Sequence, residues 1–205
     1  IDADDTVSTI YNFGSAIAKA TAINAYRAFT GVEAVVGETR TDNQDFRNNL
    51  GGGISFFGND GAVGAVSLTG NTFISLNDVK ISSFDIQDND ADGSLVSAIN
   101  AYEKETGVIA HINDNGELVL VAEDGRNIHL QYSDDAAGAN LESALGLRDG
   151  GGGALAYGGT VTLQSKEVIE ADFGFGVNDV LGGMLDNPLG PLPSQVGVFG
   201  VNSEY

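Results

Sequence analysis

Two stretches of the chain are nearly the same, and this duplication constrains the fold more than any other feature. AINAYRAFTGVEA occupies residues 22–34 and AINAYEKETGVIA occupies residues 98–110, so the step from Asn24 to Asn100 is 76 residues. Both stretches contain Ala-Ile-Asn-Ala-Tyr, then Thr-Gly-Val, and then Ala. Self-similarity of this kind indicates one supersecondary unit built twice.

The first copy has the pattern of a short amphipathic helix that turns directly into a strand. Residues 15–29 are rich in alanine and repeat their apolar positions at helical spacing, with Ser15 as a candidate N-cap. Gly31 follows, at the place where a left-handed residue commonly ends a helix. The sequence therefore predicts a single helix over residues 15–29.

The second copy follows the same plan. Asp92 or Ser94 is the candidate cap, and Gly107 ends the helix. One helical face is formed by Leu95, Ile99 and Tyr102.

The residues on both sides of the second helix alternate as antiparallel strands do. Before the helix, TFISL (72–76) and VKISSFDI (79–86) flank an Asn-Asp turn. After it, VIAHI (108–112), ELVLVA (117–122) and NIHLQY (127–132) are separated by NDNG and EDGR. Asn-Gly and Asp-Gly supply the positive φ angles that tight hairpins need. Residues 70–135 are thus predicted to form a ββ-α-βββ module, with the helix packed on an antiparallel sheet.

The remainder of the chain is predicted to be strands and loops. Candidate strands are GGGISFF (51–57), AVGAVSLTG (62–70) and TVTLQS (160–165), and GANLESALGL (138–147) is a candidate short helix. Pro188, Pro191 and Pro193 indicate an extended return segment. We therefore expect a strand-rich α+β fold, with short amphipathic helices on small antiparallel sheets. Residues 1–69 with 136–205 are expected to form a second subdomain.

Charge and composition exclude several functions. The net charge is −20, which disfavours nucleic acid and anionic membrane surfaces as partners. The absence of cysteine excludes disulfides and a thiol nucleophile. No apolar run is long enough to span a bilayer. The chain begins with Ile and shows no signal peptide, which suggests a piece of something longer.

One acidic stretch has the opening of a calcium-binding loop. Asp88, Asp90, Asp92 and Gly93 match the D-x-D-x-D-G start of an EF-hand. The twelfth position requires a bidentate Glu, and here it is Ile99, inside the predicted helix. A polar turn with a helix cap is the preferred interpretation, and a more open calcium site is the alternative.

Nothing in the sequence predicts a catalytic, cofactor-binding or metal-binding residue. His111 and His129 are the only histidines, and both fall opposite the apolar positions of their strands, so we expect them to face solvent. No P-loop, nucleophile elbow or zinc-protease pattern occurs. An enzyme is therefore not expected. Asn24 and Asn100 are interpreted as structural, each a buried amide that fixes a neighbouring turn.

The segment ADGSLVSAINAYEKETGVIAHINDNGELVLVAEDGRNIHL (91–130) resembles the flagellin hook IN motif of bacterial flagellins, which is named for an Ile-Asn pair such as Ile99-Asn100. The first copy keeps the helix and Thr-Gly-Val around Ile23-Asn24 but lacks the hairpin after it. SALGLRDGGGGALAYGGTVTLQSKEVIEA (143–171) also resembles flagellin sequence.

This resemblance implies a structural, non-catalytic outer region of a flagellin, with residues 70–135 as the distal module. The parent would be extracellular, exported without a cleaved signal, and would self-associate into the filament through terminal helices that this chain lacks. Exposed Ser and Thr would be candidates for O-linked glycans. Two alternatives stay open: a hook–filament junction or cap protein, and a surface module that binds polysaccharide or adheres.

Overall fold

The computed structural model describes residues 5–42, 63–114, 116–133, 141–145 and 154–166. The α-helices in these ranges are α1 (Ala16–Asn24), α2 (Arg27–Thr30), α3 (Ser94–Asn100), α4 (Glu103–Thr106) and α5 (Leu141–Ala144), and short 3-10 helices lie at Asn12–Gly14 and Asp88–Asp90. The strands are β1 (Glu33–Val36), β2 (Thr39–Arg40), β3 (Val66–Leu68), β4 (Phe73–Leu76), β5 (Val79–Ile81), β6 (Phe84–Ile86), β7 (Ile109–Ile112), β8 (Leu118–Ala122), β9 (Ile128–Ser133), β10 (Ala154–Tyr157) and β11 (Val161–Gln164).

Both predicted helices form, but each is divided in two at the same place in the repeat. Tyr26 has φ −105° and ψ 6°, and Tyr102 has φ −106° and ψ 16°, which is outside the helical region. The prediction of one continuous helix over 15–29 is therefore wrong at its C-terminal end. Ser15 is the N-cap as predicted, because its Oγ accepts the N–H of Ala18 at 3.0 Å.

The cap of α3 differs from the prediction. Gly93, with φ +69°, occupies the N-cap position, where it has no side chain to offer. The carboxylate of Asp90 replaces the expected cap, since its oxygens accept the N–H groups of Leu95 at 2.8 Å and Val96 at 3.0 Å. Asp92, one of the two predicted caps, accepts the N–H of Ser94 at 3.1 Å.

The strands form four antiparallel sheets in the described part of the chain. Their orders are β1-β11, β10-β9-β4-β5, β2-β8-β7 and β3-β6. The predicted strand 79–86 is in fact two strands, because Ser83 adopts φ +74° and turns the chain between them. As a result β5 pairs with β4 and β6 pairs with β3.

The three strands after α3 do not form one meander. β7 pairs with β8, but β9 lies in another sheet, between β4 and β10. The place beside β8 is taken by β2, with Thr39 opposite Ala122. The hydroxyl of Thr39 also donates to the carbonyl of Arg126 at 2.7 Å, which holds the chain as it leaves β8.

The main core lies where α3 covers strands from several sheets. It joins Leu95 and Ile99 of α3 to buried residues of β4, β7, β8 and β9. A second, much smaller cluster is made of Ala16, Ala20, Ala34 and Val161. The expected strand-rich α+β fold, with short helices on small antiparallel sheets, is confirmed.

Other predicted elements have mixed outcomes. TVTLQS contains β11, AVGAVSLTG contains β3, and α5 lies inside the predicted helix 138–147. β10 was not predicted. The predictions for GGGISFF and for the three prolines lie outside the described residues. None of the described helices is long and apolar enough to cross a bilayer.

Candidate functional site

The duplicated helix-turn-strand unit is the candidate site, and its two copies have the same backbone. We name residues 18–36 repeat 1 and residues 94–112 repeat 2. In each, the Gly of Thr-Gly has a positive φ, +69° at Gly31 and +68° at Gly107. Its N–H donates to a carbonyl four residues earlier, at 2.8 Å to Arg27 and 2.7 Å to Glu103. The predicted left-handed helix end is therefore present twice.

The threonine before that glycine closes the turn in both repeats. The hydroxyl of Thr30 donates to the carbonyl of Tyr26 at 3.1 Å, and that of Thr106 donates to Tyr102 at 2.9 Å. The same oxygens accept the N–H of the residue two positions later in the chain, at 3.1 Å in repeat 1 and 3.0 Å in repeat 2. This accounts for the threonine being shared by both copies.

The asparagine that names the Ile-Asn pair joins the helix to the strand. Asn24 Nδ2 donates to the carbonyl of Ala34, and the N–H of Ala34 donates to Asn24 Oδ1, both at 2.8 Å. Asn100 makes the same pair with Ala110, at 3.1 Å and 2.6 Å. Each amide thus binds one strand residue through two hydrogen bonds, as a neighbouring peptide would.

The two asparagines have the structural role that the sequence predicted, but they are less buried than predicted. Asn24 is exposed and Asn100 is only half-buried. Neither is the fully buried amide that was predicted. Each side chain spans the whole Thr-Gly turn, ten residues along the chain, and attaches to the strand beyond it.

The two repeats differ in how much they bury. Leu95 and Ile99 of repeat 2 are fully buried, whereas Lys19 and Ile23, at the matching positions of repeat 1, are half-buried. Burial lowers the pKa of Lys19. Repeat 2 therefore has the larger share of the hydrophobic stabilisation.

Repeat 2 also has its turn anchored from two other elements. The carbonyl of Thr106 accepts Nδ2 of Asn77 at 2.7 Å and Nη1 of Arg126 at 3.3 Å. Arg126 is held in turn by Asp124, with Nη2 and Oδ2 2.7 Å apart. Its guanidinium lies directly over Gly107, where a Cβ atom would collide with it. Sequence reasoning missed the two contacts to Thr106 because they come from residues 29 and 20 positions away in the chain.

The turn of repeat 1 is exposed instead. Phe29 is 91% exposed and Tyr26 is 53% exposed, and Arg27 forms an ion pair with Glu33 at 2.8 Å. The position of Phe29 is taken in repeat 2 by Glu105. At this one position the turn therefore presents an aromatic ring in repeat 1 and a carboxylate in repeat 2.

The acidic stretch before α3 is a capping structure. Asp90 is 6% exposed and its two oxygens bind the first amides of α3. Asp88 accepts the N–H of Ala65 at 2.9 Å, and Asp92 accepts that of Ser94. Each carboxylate is engaged by backbone N–H groups, which supports the polar turn and helix cap. Within the described ranges, no group of three or more acidic, His or Cys side chains is arranged to hold a metal ion.

The histidines are placed differently from each other. His111 is exposed on the outer face of β7, as predicted. The prediction for His129 is wrong, since its side chain is only 13% exposed. The turn between β4 and β5 covers it: Asn77 bonds to its backbone N–H at 2.8 Å, and Oδ1 of Asp78 lies 3.7 Å from its Nδ1. Burial lowers the pKa of His129 more than the nearby carboxylate raises it.

Another long-range contact ties the N-terminal residues to β9. The side-chain amide of Asn127 donates to the carbonyls of Ile10 at 3.0 Å and Tyr11 at 3.2 Å. Its backbone N–H donates to the hydroxyl of Ser8 at 2.8 Å. The segment leading into repeat 1 is thus attached to the residue that immediately precedes β9.

Comparison with known proteins finds flagellin sequences similar to part of this chain. The family model of the flagellin hook IN motif matches residues 73–124, from β4 to the turn after β8. Flagellin A of Helicobacter mustelae is 36% identical over 108 residues, which is 47% of this chain and 22% of that protein. Flagellin A of Helicobacter pylori is 40% identical over 79 residues, which is 38% of this chain and 15% of that protein. These alignments thus span about a fifth of the relatives' length or less. The chain is thus similar to flagellins over part of its length, and repeat 2 lies within the segment that the hook IN motif model matches.

Proposed function

We propose that this chain is the outer, solvent-projecting part of a flagellin subunit, and that it acts as a non-catalytic scaffold on an extracellular bacterial filament that supports motility. The observation that carries the proposal is the chemistry of the repeats. Where a residue shared by the two copies has a described polar contact, that contact is with a backbone group. This is the case for Asn24, Asn100, Thr30 and Thr106. None of these contacts leaves a reactive group aimed at a substrate.

The charge of the chain suits the same role. A net charge of −20 keeps a surface module solvated and discourages nonspecific association. Assembly with other flagellin subunits would then depend on polymerising segments other than this acidic region. We further propose residues 70–135 as a distal module and residues 1–69 with 136–205 as a proximal one. Strands β2, β3 and β10 pair across that boundary, which would make the two parts mechanically continuous.

Labelling on intact bacteria tests this proposal. The chain contains no cysteine, so a single Glu105→Cys change in an otherwise cysteine-free parent gives one exposed thiol on the α4 turn. An Ile99→Cys variant is the matched control, because that position is fully buried. A membrane-impermeant maleimide dye is expected to label Glu105→Cys along the whole filament and to leave the control dark.

The position of the dye separates the proposal from its alternatives. Label confined to the base of the filament would indicate a hook–filament junction protein, and label confined to the tip would indicate a cap protein. Unlabelled filaments on bacteria that secrete the variant would contradict an outward-facing module. Swimming by the labelled cells is the expected companion result.

A further inference from the structure

In each repeat the duplicated Asn and Thr side chains lie along a strand edge with which no other strand of the described ranges pairs. An antiparallel strand presents the N–H and C=O of alternate residues to opposite sides. Ala34 and Ala110 direct both groups to an asparagine side chain, away from the strands β11 and β8 with which β1 and β7 pair. The amide therefore sits where the backbone of a further strand would otherwise lie.

The threonine extends this protection by one step along the same edge. Two residues before Ala110, the N–H of Val108 donates to Thr106 Oγ1 at 3.0 Å, and that hydroxyl lies 3.4 Å from the carbonyl of Val108. In repeat 1 the N–H of Val32 is bound by Thr30 in the same way, at 3.1 Å. Val108 and Ala110 are successive positions that face away from β8, and their backbone groups are thus bound by side chains from the preceding turn and helix.

We infer that the Asn and Thr of each repeat act as an edge block, which prevents a strand from another chain from pairing with β1 or β7. Unpaired edges are where sheets add foreign strands and aggregate. The opposite edge of β8 is already covered, because β2 pairs with it and Thr41 exchanges hydrogen bonds with Leu120 at 2.9 and 3.1 Å. β7 is therefore paired with β8 on one side and bound by side chains at Val108 and Ala110 on the other. This inference does not depend on the proposed function.

Removing one amide tests the edge block. Asn100→Ala in the whole chain frees the N–H and C=O of Ala110 and leaves β8 and the core untouched. The variant is expected to form concentration-dependent oligomers, seen by sedimentation, with a gain of antiparallel sheet in the infrared spectrum. The unchanged chain is expected to remain monomeric over the same range. Asn24→Ala makes the equivalent test in repeat 1.

Loss of stability alone also causes aggregation, so the design needs two controls. Val119→Ala, in the central strand β8, destabilises the same sheet through lost packing while Asn100 stays in place. It is expected to stay monomeric at equal loss of unfolding free energy. Adding Ala110→Pro to Asn100→Ala is expected to restore the monomer, because proline removes the N–H that an incoming strand needs and is tolerated on edge strands.

Three results would overturn the inference. If the Asn100→Ala variant remains monomeric, the Asn100 amide serves only to join α3 to β7 within the chain. Equal association by Val119→Ala would assign the effect to destabilisation. Failure of Ala110→Pro to suppress the oligomers would place the contact on another surface.

Discussion

Removing one hydroxyl from the Thr-Gly turn is expected to affect the two repeats unequally. Thr106→Val keeps the shape of the side chain but withdraws the acceptor of the Val108 N–H, and both residues are fully buried. The carbonyl of Tyr102, which loses the hydroxyl donor, keeps the N–H of Thr106 at 2.9 Å. The cost is therefore that of one buried, unpaired N–H group, about 1–3 kcal/mol of unfolding free energy.

The matching change in repeat 1 provides the control. Thr30 is exposed and Val32 is half-buried, so water can replace the hydroxyl as acceptor in Thr30→Val. The expected loss is below about 0.5 kcal/mol, as for an ordinary surface substitution. Because the local geometry is the same in both repeats, the difference measures burial rather than hydrogen-bond geometry.

The assay is urea unfolding of both variants, followed by far-UV circular dichroism and by hydrogen exchange at the amides of Val32 and Val108. Exchange is needed because the two hydrophobic clusters need not open together. Faster exchange is expected at Val108 in Thr106→Val. Equal losses in the two variants, or no loss in Thr106→Val, would refute the reasoning.

Three further outcomes are expected in urea or thermal unfolding. Gly31→Ala should lower the free energy of unfolding by about 1–2 kcal/mol, because of its positive φ alone. Gly107→Ala should lower it further, because the new methyl group also displaces Arg126. Equal losses in the two variants would contradict this expectation. Asp90→Ala should lose about 1–2 kcal/mol with its helix cap, and calcium should not change the melting temperature of either form. Burial lowers the pKa of His129 in the folded state, so folding favours its neutral form. The resulting contribution to the free energy of unfolding is intact above about pH 6.5 and is lost as the pH falls below it. His129→Asn should remove that part of the pH dependence.

The elements of the repeat were predictable because their signals are local. Helical spacing, a capping Ser15 and a glycine at the turn define the unit within twenty residues, and the structure has the cap and the glycine where they were expected. The break at Tyr26 and Tyr102 was not predicted, because no proline or glycine marks it. At the break, the carbonyl of each tyrosine accepts both the hydroxyl and the N–H of the threonine four residues later.

Contacts between distant parts of the chain were not predictable from local patterns. Hairpin turns after α3 favoured a simple meander, yet β2, from the residues just after repeat 1, takes the place of β9. The strand β10 lies between glycine runs that hide its pattern. The sequence predicted Asp92 or Ser94 as the cap of α3, whereas the fold uses Asp90, whose carboxylate accepts the N–H groups of Leu95 and Val96.

A reconstruction of the filament formed by the parent polypeptide is the most direct test of the proposed role. The account predicts density for residues 73–133 on the outside of the filament, with repeat 2 folded as α3, α4 and β7 and its Asn100 side chain on Ala110. Finding those residues inside the polymerised core, or finding them unfolded at the surface, would contradict it.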